Sequence, residues 1–324
     1  MKYLLNDCTD ACRNMAFDEY VLESLPLDEP VFYLWRNAPS VIIGLNQSAY
    51  AEVNLPYLES RRIALARRVT GGGAVYHDLQ NLNYSIAGRS RDLNADYPEY
   101  LHMVVNALRE MGVPAQLSGR NDIMVDGRKC SGYAKRVWKD RLMVHGTLMF
   151  DVDLEELMQA LAVPGSKLEA KGIASVRSRV ANLKEYLPQF GGILEFRDAL
   201  HAMLAAGDGE VRLTPVQQAE IDAMAKEKFR SWDWIYGRSP AAGFRASRKF
   251  PCGTVEISWS VEHGLLKDVH FGGDFMGNLP AGELAARMDG TRFEKAAILA
   301  ALEDVSYYFD GLGPEDLAGL LINC

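Results

Sequence analysis

Residues 70 to 74, with the sequence Thr-Gly-Gly-Gly-Ala, form the segment with the clearest chemical potential. A glycine triplet directly after a predicted strand lets backbone N–H groups approach an anion, because glycine has no side chain in the way. A tight turn alone also explains such a triplet. Arg67 and Arg68 precede it, and His77 and Asp78 follow it, which favours a phosphate or carboxylate site. The spacing fits neither a dinucleotide-binding fingerprint nor a Walker A loop.

Further along the chain, three polar side chains and one basic segment are candidates for the same chemistry. Asp122 begins a predicted strand and could hold Mg²⁺ or support a neighbouring cation. Residues 126–128, Asp-Gly-Arg, predict a hairpin turn that places Lys129 on the returning strand, where an exposed lysine is also common. His145 lies in an apolar strand, where a hydrogen-bonded core histidine is more common than a catalyst. Segment 171–183 is either a mobile loop over an anionic intermediate or a solvated helix start.

The elements that must position these residues follow from the hydrophobic periodicity. Asp10 or Asn14 caps a predicted helix that stops at Pro26, and a second helix is predicted over 99–111. Asp153 with Glu156 predicts a capping box, and residues 214–217 predict another helix start. Predicted strands cover 31–35, 41–43, 63–69 and 81–86. This order indicates a mixed α/β fold without regular strand–helix alternation, so a doubly wound parallel sheet is not favoured.

The composition indicates two domains of unequal size. A chain of 324 residues with 48% hydrophobic residues can bury one large core and one small one. The turn-rich stretch at about 236–245 is the predicted linker between a catalytic domain, 1–238, and an accessory domain, 246–324. In the accessory domain, a hairpin is predicted from 254–259 through 262–264 to 265–271, with short helices after it.

Composition also limits the class of protein. No run of eighteen apolar residues and no signal peptide is visible, which predicts a soluble cytoplasmic protein without membrane contact. Five scattered cysteines predict reduced thiols rather than a disulfide framework. A formal charge of −8 disfavours nonspecific nucleic-acid binding. Two basic clusters, at 129–141 and 167–184, could line an anion-binding cleft or form solvated faces.

Five segments together resemble the lipoate-protein ligase family, in the same order and at similar spacing. They read RRVTGGGAVYHD (67–78), GRNDI (119–123), KCSGYA (129–134), HGTLM (145–149) and KGIASVRSRVANL (171–183). The resemblance also includes residues 34–37, 231–234 and 273–275, so it covers nearly the whole chain. Departures from the family pattern are Thr70 for serine, Tyr76 for phenylalanine, Cys130 for an aliphatic residue, and the loop around Leu45 and Ser48.

The resemblance implies a biotin/lipoyl ligase-like large domain, with a mixed, largely antiparallel sheet flanked by helices, and a smaller α+β domain after it. It implies that lipoate and ATP with Mg²⁺ form lipoyl-AMP, and that the lipoyl group then moves to a lysine of apo lipoyl domains, in E2 subunits of 2-oxoacid dehydrogenases and the H protein. Lys129 would be the catalytic residue, in contact with both the carboxylate and the α-phosphate. The residues implied for ATP are Arg68, Gly73, Ala74, Val75, Tyr76, Asp122, Lys129 and Lys171, with Asp122 near Mg²⁺. The residues implied for lipoate are Trp35, Thr70, Gly72, Gly73, His77, Lys129, Ala134 and His145.

Three other functions remain compatible with the sequence. An ATP-independent octanoyl or lipoyl transferase of the same superfamily would use a cysteine thioester, for which Cys130 is the candidate nucleophile. A biotin ligase would differ in the acid that it activates. A non-catalytic lipoate-binding protein would keep the pocket without turnover. The glycine-rich segment, the 171–183 segment and the accessory domain favour the ATP-dependent ligase.

Overall fold

The structure is a computed structural model that describes residues 1–89, 96–118, 122–161, 178–205, 209–239, 242–273, 275 and 278–322. Its first helix, α1 (Ala11–Glu23), begins as the sequence predicts. The Asp10 carboxylate accepts a hydrogen bond of 2.8 Å from the Arg13 backbone N–H, which satisfies one of the free donors at the helix start. Nearly the whole helix is buried, so it belongs to the core rather than to the surface.

Eight strands form the central sheet within the described ranges. They are β1 (Lys2–Leu4), β2 (Val31–Trp35), β6 (Asn81–Arg89), β7 (Ala115–Ser118), β8 (Asp122–Val125), β9 (Arg128–Trp138), β10 (Arg141–Met149) and β11 (Glu210–Val211). The spatial order is β11-β1-β2-β6-β10-β9-β8-β7. The pairs β11–β1 and β1–β2 are parallel and the other pairs are antiparallel. The expected mixed, largely antiparallel sheet is therefore confirmed.

The helices after α1 in this part of the chain are α2 (Ala49–Glu52), α3 (Leu55–Arg61), α4 (Asp96–Glu110), α5 (Leu154–Leu161), α6 (Ile193–Ala205), α7 (Pro215–Met224) and α8 (Trp232–Ile235), with a 3-10 turn at Leu183–Glu185 and a π-helical turn at Ala225–Phe229. Helices α1, α4, α6 and α7 cover the two faces of this sheet. On one face, α4 and α6 pack against Phe32 and Tyr84. On the other, α1 and α7 pack against Tyr33 and Trp35. The alternation along β2 thus sends successive side chains into two different cores.

The two predicted capping boxes differ in outcome. At the start of α7, the Thr214 hydroxyl accepts from the Gln217 N–H and the Gln217 side chain bonds back, so this capping box is complete. At the start of α5, the Asp153 carboxylate accepts from the Glu156 N–H at 3.1 Å, but the Glu156 carboxylate pairs with Arg61 instead of returning to Asp153. The prediction there was half wrong, because a cation from α3 is the stronger partner for that carboxylate.

A second, smaller sheet carries the glycine-rich segment. It consists of β3 (Ser40–Ile43), β4 (Ala64–Arg67) and β5 (Val75–His77), with β3 in the centre, parallel to β4 and antiparallel to β5. Residues 68–74 connect β4 to β5 as a loop, so the predicted strand over 63–69 ends earlier than expected. Both ends of this glycine loop are thereby fixed to one sheet.

The C-terminal domain has its own three-stranded antiparallel sheet, formed by β12 (Ala242–Phe250), β13 (Gly253–Glu262) and β14 (Leu265–Gly273). Helices α9 (Ala281–Met288), α10 (Lys295–Ala301) and α11 (Pro314–Ile322) and a 3-10 turn at Val305–Tyr307 follow. The predicted hairpin is present, with His263 and Gly264 at positive φ in its turn. Strand β12 was not predicted and begins inside the expected linker. The domain boundary itself stays a prediction.

Arg67 connects the smaller sheet to the segment that enters the C-terminal domain. Its side chain is fully buried, and its guanidinium donates to the backbone carbonyls of Gln47 at 2.6 Å and Ile235 at 2.6 Å and to the Ser239 hydroxyl at 3.2 Å. Burial and the nearby Arg238 lower the pKa of Arg67 to about 10.

In the part of the chain that the structure describes, no helix has the length and apolar character needed to cross a membrane.

Candidate active site

A cleft of about 600 Å³, its open mouth included, lies between the glycine loop and the central sheet. The loop and β5 form one wall, and β2, β6, β9 and β10 form the floor. The residues that line it are Met15, Trp35, Ile42, Arg68, Gly72, Gly73, Ala74, Val75, His77, Asn83, Lys129, Gly132, Tyr133, Ala134, His145, Gly146 and Thr147. Segments that are far apart in sequence therefore meet at one place.

Most of the residues implied for ATP and lipoate line this cleft, and three described ones do not. Thr70 lies behind the lining, where it bonds to His145. The buried Tyr76 side chain packs in a separate core with Val41, so it does not form an apolar wall of the cleft. Asp122 is not among the lining residues but pairs with Lys129, which is. Lys171 lies outside the described residues, as do most of the 171–183 segment and residues 119–121.

The glycine loop is held in shape by the buried guanidinium of Arg68. Its Nη2 donates to the carbonyls of Gly71 at 2.7 Å and Gly73 at 2.8 Å, and its Nη1 donates to the Ile42 carbonyl at 3.0 Å. Gly72 adopts a φ of +94°, which favours glycine. Burial lowers the pKa of Arg68 to about 10, and no carboxylate of the described residues contributes to that shift. A bound anion would therefore offset an otherwise uncompensated buried charge.

Lys129 brings a second cation to the cleft from β9. Its ammonium lies 2.7 Å from the Asp122 carboxylate, and both side chains are about one-third exposed, at 38% and 33%. Its backbone N–H donates to the Arg179 carbonyl at 2.8 Å, and its carbonyl accepts from the Ala181 N–H at 2.9 Å. The end of the 171–183 segment is thus bonded to the strand that carries the lysine.

A chain of buried hydrogen bonds supports the loop from below. His145 Nδ1 lies 2.6 Å from Asp18 Oδ2, and His145 Nε2 lies 2.7 Å from Thr70 Oγ1. The Asp18 carboxylate also accepts from Tyr33 at 2.5 Å and from Ser85 at 3.0 Å. Since Thr70 Oγ1 accepts from Arg68 Nε at 3.1 Å, its own hydrogen is available to His145. This chain fixes the rotamers of Thr70 and Arg68.

Asp18 is a site residue that the motifs did not identify. It is 1% exposed and lies within α1, on the stripe that also contains Asn14, one turn earlier. One sequence signal could have found it: Asn14 and Asp18 are four residues apart, so both lie on the apolar face of the predicted helix. A polar side chain on a buried face needs a hydrogen-bond partner. The periodicity predicts that Asp18 has such a partner, but it does not identify the partner as His145.

His77 is held in one tautomer by a chain of asparagines. Asn14 Nδ2 donates its two hydrogens to the Cys8 carbonyl at 2.9 Å and to Asn37 Oδ1 at 2.8 Å, so Asn37 turns its own Nδ2 toward His77 Nδ1, 3.0 Å away. His77 Nδ1 is then an acceptor, and the ring proton is on Nε2. Burial, Arg68 and His145 lower the pKa of His77 to about 3, so the ring is neutral.

Cys130 lies on the opposite side of β9 from Lys129. Its fully buried thiol belongs to the core under α4 and donates to the Ile123 carbonyl at 3.4 Å. Burial raises the pKa of Cys130 to about 12, so the thiolate that acyl transfer requires is disfavoured. The geometry therefore argues against the thioester mechanism, for which Cys130 was the candidate nucleophile.

The arrangement can bind an amphiphilic acid. Trp35, Ile42 and Val75 supply apolar walls, whereas Arg68, Lys129 and the loop N–H groups supply donors for negative charge. Fixed donors of this kind stabilise charge that develops when an anion attacks a phosphate. No group of three or more potential metal ligands occurs among the described residues.

Comparison with known proteins gives consistent matches. Residues 10–205 match the model of the lipoyl protein ligase A/B catalytic domain, and residues 239–321 match that of the bacterial lipoate protein ligase C-terminus. A lipoate-protein ligase of Bacillus subtilis is 39% identical over 316 residues, which cover 95% of this chain and 96% of that protein. A bipartite lipoate protein ligase of Thermoplasma acidophilum, described with its E2 lipoyl domain, is similar in structure, with a TM-score of 0.67 and 31% identity over 73% of this chain and 96% of that chain. A lipoate-protein ligase A bound with ATP gives a TM-score of 0.64 and 30% identity over 73% of this chain and 98% of that chain.

Proposed function

Because this chain belongs to the lipoate-protein ligase family and is an enzyme of that family, we propose that it activates lipoate with ATP and transfers the lipoyl group to protein. One observation carries the proposal: two cations, Arg68 and Lys129, and the glycine loop line the same cleft as the apolar side chains of Trp35, Ile42 and Val75. A carboxylic acid with an apolar chain matches this distribution of charge. The ATP bound by the related ligase supports nucleotide activation.

In the proposed first step, a carboxylate oxygen of lipoate attacks the α-phosphorus of ATP. A mixed anhydride, lipoyl-AMP, forms as the bond to the leaving pyrophosphate breaks. Both reactants are anions, so their approach requires fixed positive charge. Lys129 contributes that charge to the carboxylate and the α-phosphate, and Arg68 keeps the Gly73–Tyr76 backbone directed toward the nucleotide.

The site offers one carboxylate that could hold Mg²⁺. Asp122 is half-buried and lies beside the Lys129 ammonium. Mg²⁺ at nucleotide sites is commonly held by one or two carboxylates together with phosphate oxygens. We propose Asp122 as the protein ligand. The ion, when bound, would neutralise part of the phosphate charge.

In the proposed second step, the ε-amine of a lysine in an apo lipoyl domain attacks the lipoyl carbonyl carbon. The amide bond forms, AMP leaves with the bonding electrons, and the amine loses a proton. E2 subunits of 2-oxoacid dehydrogenases and the H protein are the proposed acceptors, and the E2 lipoyl domain described with the archaeal relative supports the first of these.

Lipoate-dependent exchange of pyrophosphate into ATP tests the first step. The wild-type protein is expected to catalyse exchange with lipoate and not with biotin. Lys129→Ala is expected to reduce exchange about 10²- to 10³-fold, because it removes a charge used in the transition state. Its unfolding midpoint should stay near the wild-type value, since the ammonium is partly exposed. Exchange at the wild-type rate would refute the assignment of Lys129.

The second step is tested by weighing an apo lipoyl domain after incubation with the protein, ATP, Mg²⁺ and lipoate. A mass increase that requires ATP supports the ligase. Modification without ATP, from an acylated carrier protein, would instead indicate the transferase.

A further inference from the structure

Two buried N–H groups in the cleft lack a hydrogen-bond acceptor among the described residues: His77 Nε2 and Asn83 Nδ2. Both residues line the cleft, and they are only 3% and 1% exposed. Buried donors without an acceptor are uncommon in native proteins, because each has lost its hydrogen bonds to water without replacement. Their presence at a binding cleft points to an acceptor that arrives with the ligand.

Neighbouring contacts direct both groups toward the cleft as donors. For His77, the amide of Asn37 occupies Nδ1, so the proton is on Nε2. For Asn83, Oδ1 accepts from Asn81 Nδ2 at 2.8 Å, so Nδ2 is left for the cleft. A low His77 pKa keeps the ring neutral. The pair therefore presents two neutral N–H donors, which need only an acceptor on the part of the ligand that reaches them.

The strand register places Asn83 well away from Lys129. Asn83 pairs with Trp35 on one side and with Thr147 on the other, and the Thr147 hydroxyl accepts from the Gly132 N–H at 3.2 Å. Lys129 Nζ lies 3.1 Å from the position that a Cβ on Gly132 would occupy. The side chains of Lys129, Thr147, Asn83 and Trp35 therefore lie on four neighbouring strands, β9, β10, β6 and β2. At about 4.8 Å per strand, Asn83 lies about 10 Å from β9.

That distance matches the length of lipoate. Five carbon–carbon bonds of about 1.5 Å separate its carboxyl carbon from the ring, which in extended form is roughly 6 Å, and the sulfurs lie about 2 Å further. With the carboxylate about 3 Å from the Lys129 ammonium, the ring would reach Asn83 and the Trp35–His77 pair. The two rings of that pair are 6.1 Å apart, edge to face.

We propose that His77 and Asn83 donate hydrogen bonds to the ring sulfurs of the bound acid and thereby select lipoate over octanoate, an acid of the same main-chain length without sulfur. This inference rests on the proposed function, since it takes lipoate as the substrate. Sulfur is a weak acceptor, but a plain alkyl chain offers none. A site built around buried donors discriminates against the analogue that leaves them unpaired.

Direct binding tests this without requiring turnover. Titration calorimetry of the whole protein with lipoate and with octanoate, in the absence of ATP, gives the ratio of the two dissociation constants. The wild-type protein is expected to prefer lipoate, and Asn83→Leu and His77→Phe are each expected to reduce that preference about 3- to 10-fold, mainly by weakening lipoate binding. Thr147→Val is the matched control on the same floor, since its hydroxyl is already engaged by Gly132, and it should change both affinities by the same factor.

A second measurement applies to the wild-type protein, so it holds even where a variant fails to fold. Nitrogen-15 NMR of labelled histidine should show the His77 proton on Nε2, and that proton resonance should shift with lipoate and not with octanoate. Equal affinity of the wild type for both acids, or equal shifts with both, would overturn the proposal. Lipoate binding without pyrophosphate exchange would instead contradict the proposed function and leave the selectivity measurable.

Discussion

Gly44→Ala is expected to damage the site through a single steric contact. Gly44 lies after β3, facing the glycine loop, and a Cβ at this position would be 2.2 Å from the Gly72 carbonyl oxygen. Ordinary contact begins near 3.4 Å, so the loop or the 44–47 turn must move by about 1.2 Å. Gly72 adopts a φ of +94° and is bracketed by Arg68 hydrogen bonds to Gly71 and Gly73, so it has little freedom to yield.

A displacement of this size predicts a specific loss of activity. Misplacement by about 1 Å costs on the order of 10²-fold when groups must be aligned for reaction. The expected loss in kcat/KM for lipoate-dependent pyrophosphate exchange is therefore about 10²-fold, with a loss of about 1–3 kcal/mol in the free energy of unfolding from the strained packing.

Gly71→Ala is the matched control in the same loop. A Cβ on Gly71 meets nothing within 4 Å, and its φ lies outside the left-handed region. This variant should stay within about threefold of the wild-type rate and within about 0.5 kcal/mol of its stability. Wild-type exchange by Gly44→Ala would refute the steric argument. An equal loss in both variants would show that the loop responds to any added methyl group rather than to this contact.

The remaining predictions concern three other side chains. Cys130→Ser should keep pyrophosphate exchange within about threefold of wild type. Urea unfolding should show a free energy of unfolding lower by about 1–2 kcal/mol, because the serine hydroxyl is placed in an apolar core. Loss of exchange with an intact fold would instead indicate a catalytic role for the thiol. Asp18→Asn should destabilise the protein by about 1–3 kcal/mol, because an amide cannot accept from His145, Tyr33 and the Ser85 hydroxyl as the carboxylate does, and unchanged urea unfolding would contradict this. For His77, the folded-state pKa of about 3 lies below the ordinary 6.5, so the unfolded chain binds the extra proton and stability falls as the pH drops through that window. Between pH 6.5 and 5 this one group accounts for about 1.6 kcal/mol, and His77→Gln should remove that part of the pH dependence of urea unfolding, whereas an unaltered dependence would disprove the assignment.

Local patterns were sufficient to predict most elements that carry the site. The helix cap at Asp10, the 126–128 hairpin turn and the strand that contains His145 all depend on neighbours within a few residues. Strand β12 was missed because it begins in a stretch with glycine and proline, which are typical of turns. Its pairing with β13 is a tertiary contact that the local pattern does not encode.

Asn83 shows why part of the site could not be predicted. Along β6, Leu82, Tyr84 and Ile86 enter one core, whereas Asn81, Asn83 and Ser85 alternate with them. Such alternation is typical of a strand with one face in water. Here α1 covers part of the polar face, and the rest forms the floor of the cleft, so these polar residues are buried. Only the packing of α1 distinguishes a solvated face from a polar site.

Two chemistries are separated at one point on β9. Lys129 and Cys130 are adjacent in sequence, and the sequence alone allows either to act, with the lysine as a neighbouring charge that activates the thiol. In the structure, Lys129 lies in the cleft beside Asp122, whereas Cys130 lies in the core under α4 with its thiol bonded to a backbone carbonyl. Regular strand alternation is not the reason, because the register of β9 against β8 shifts here: Met124 pairs with Lys129 and Ile123 pairs with Ser131, which leaves Cys130 as the extra residue of a β-bulge. For the thiol to reach an acyl group in the cleft, this bulge and the pairing of β9 with β8 would have to be rebuilt. The local geometry of β9 thus favours activation by a phosphate anhydride over transfer through a thioester.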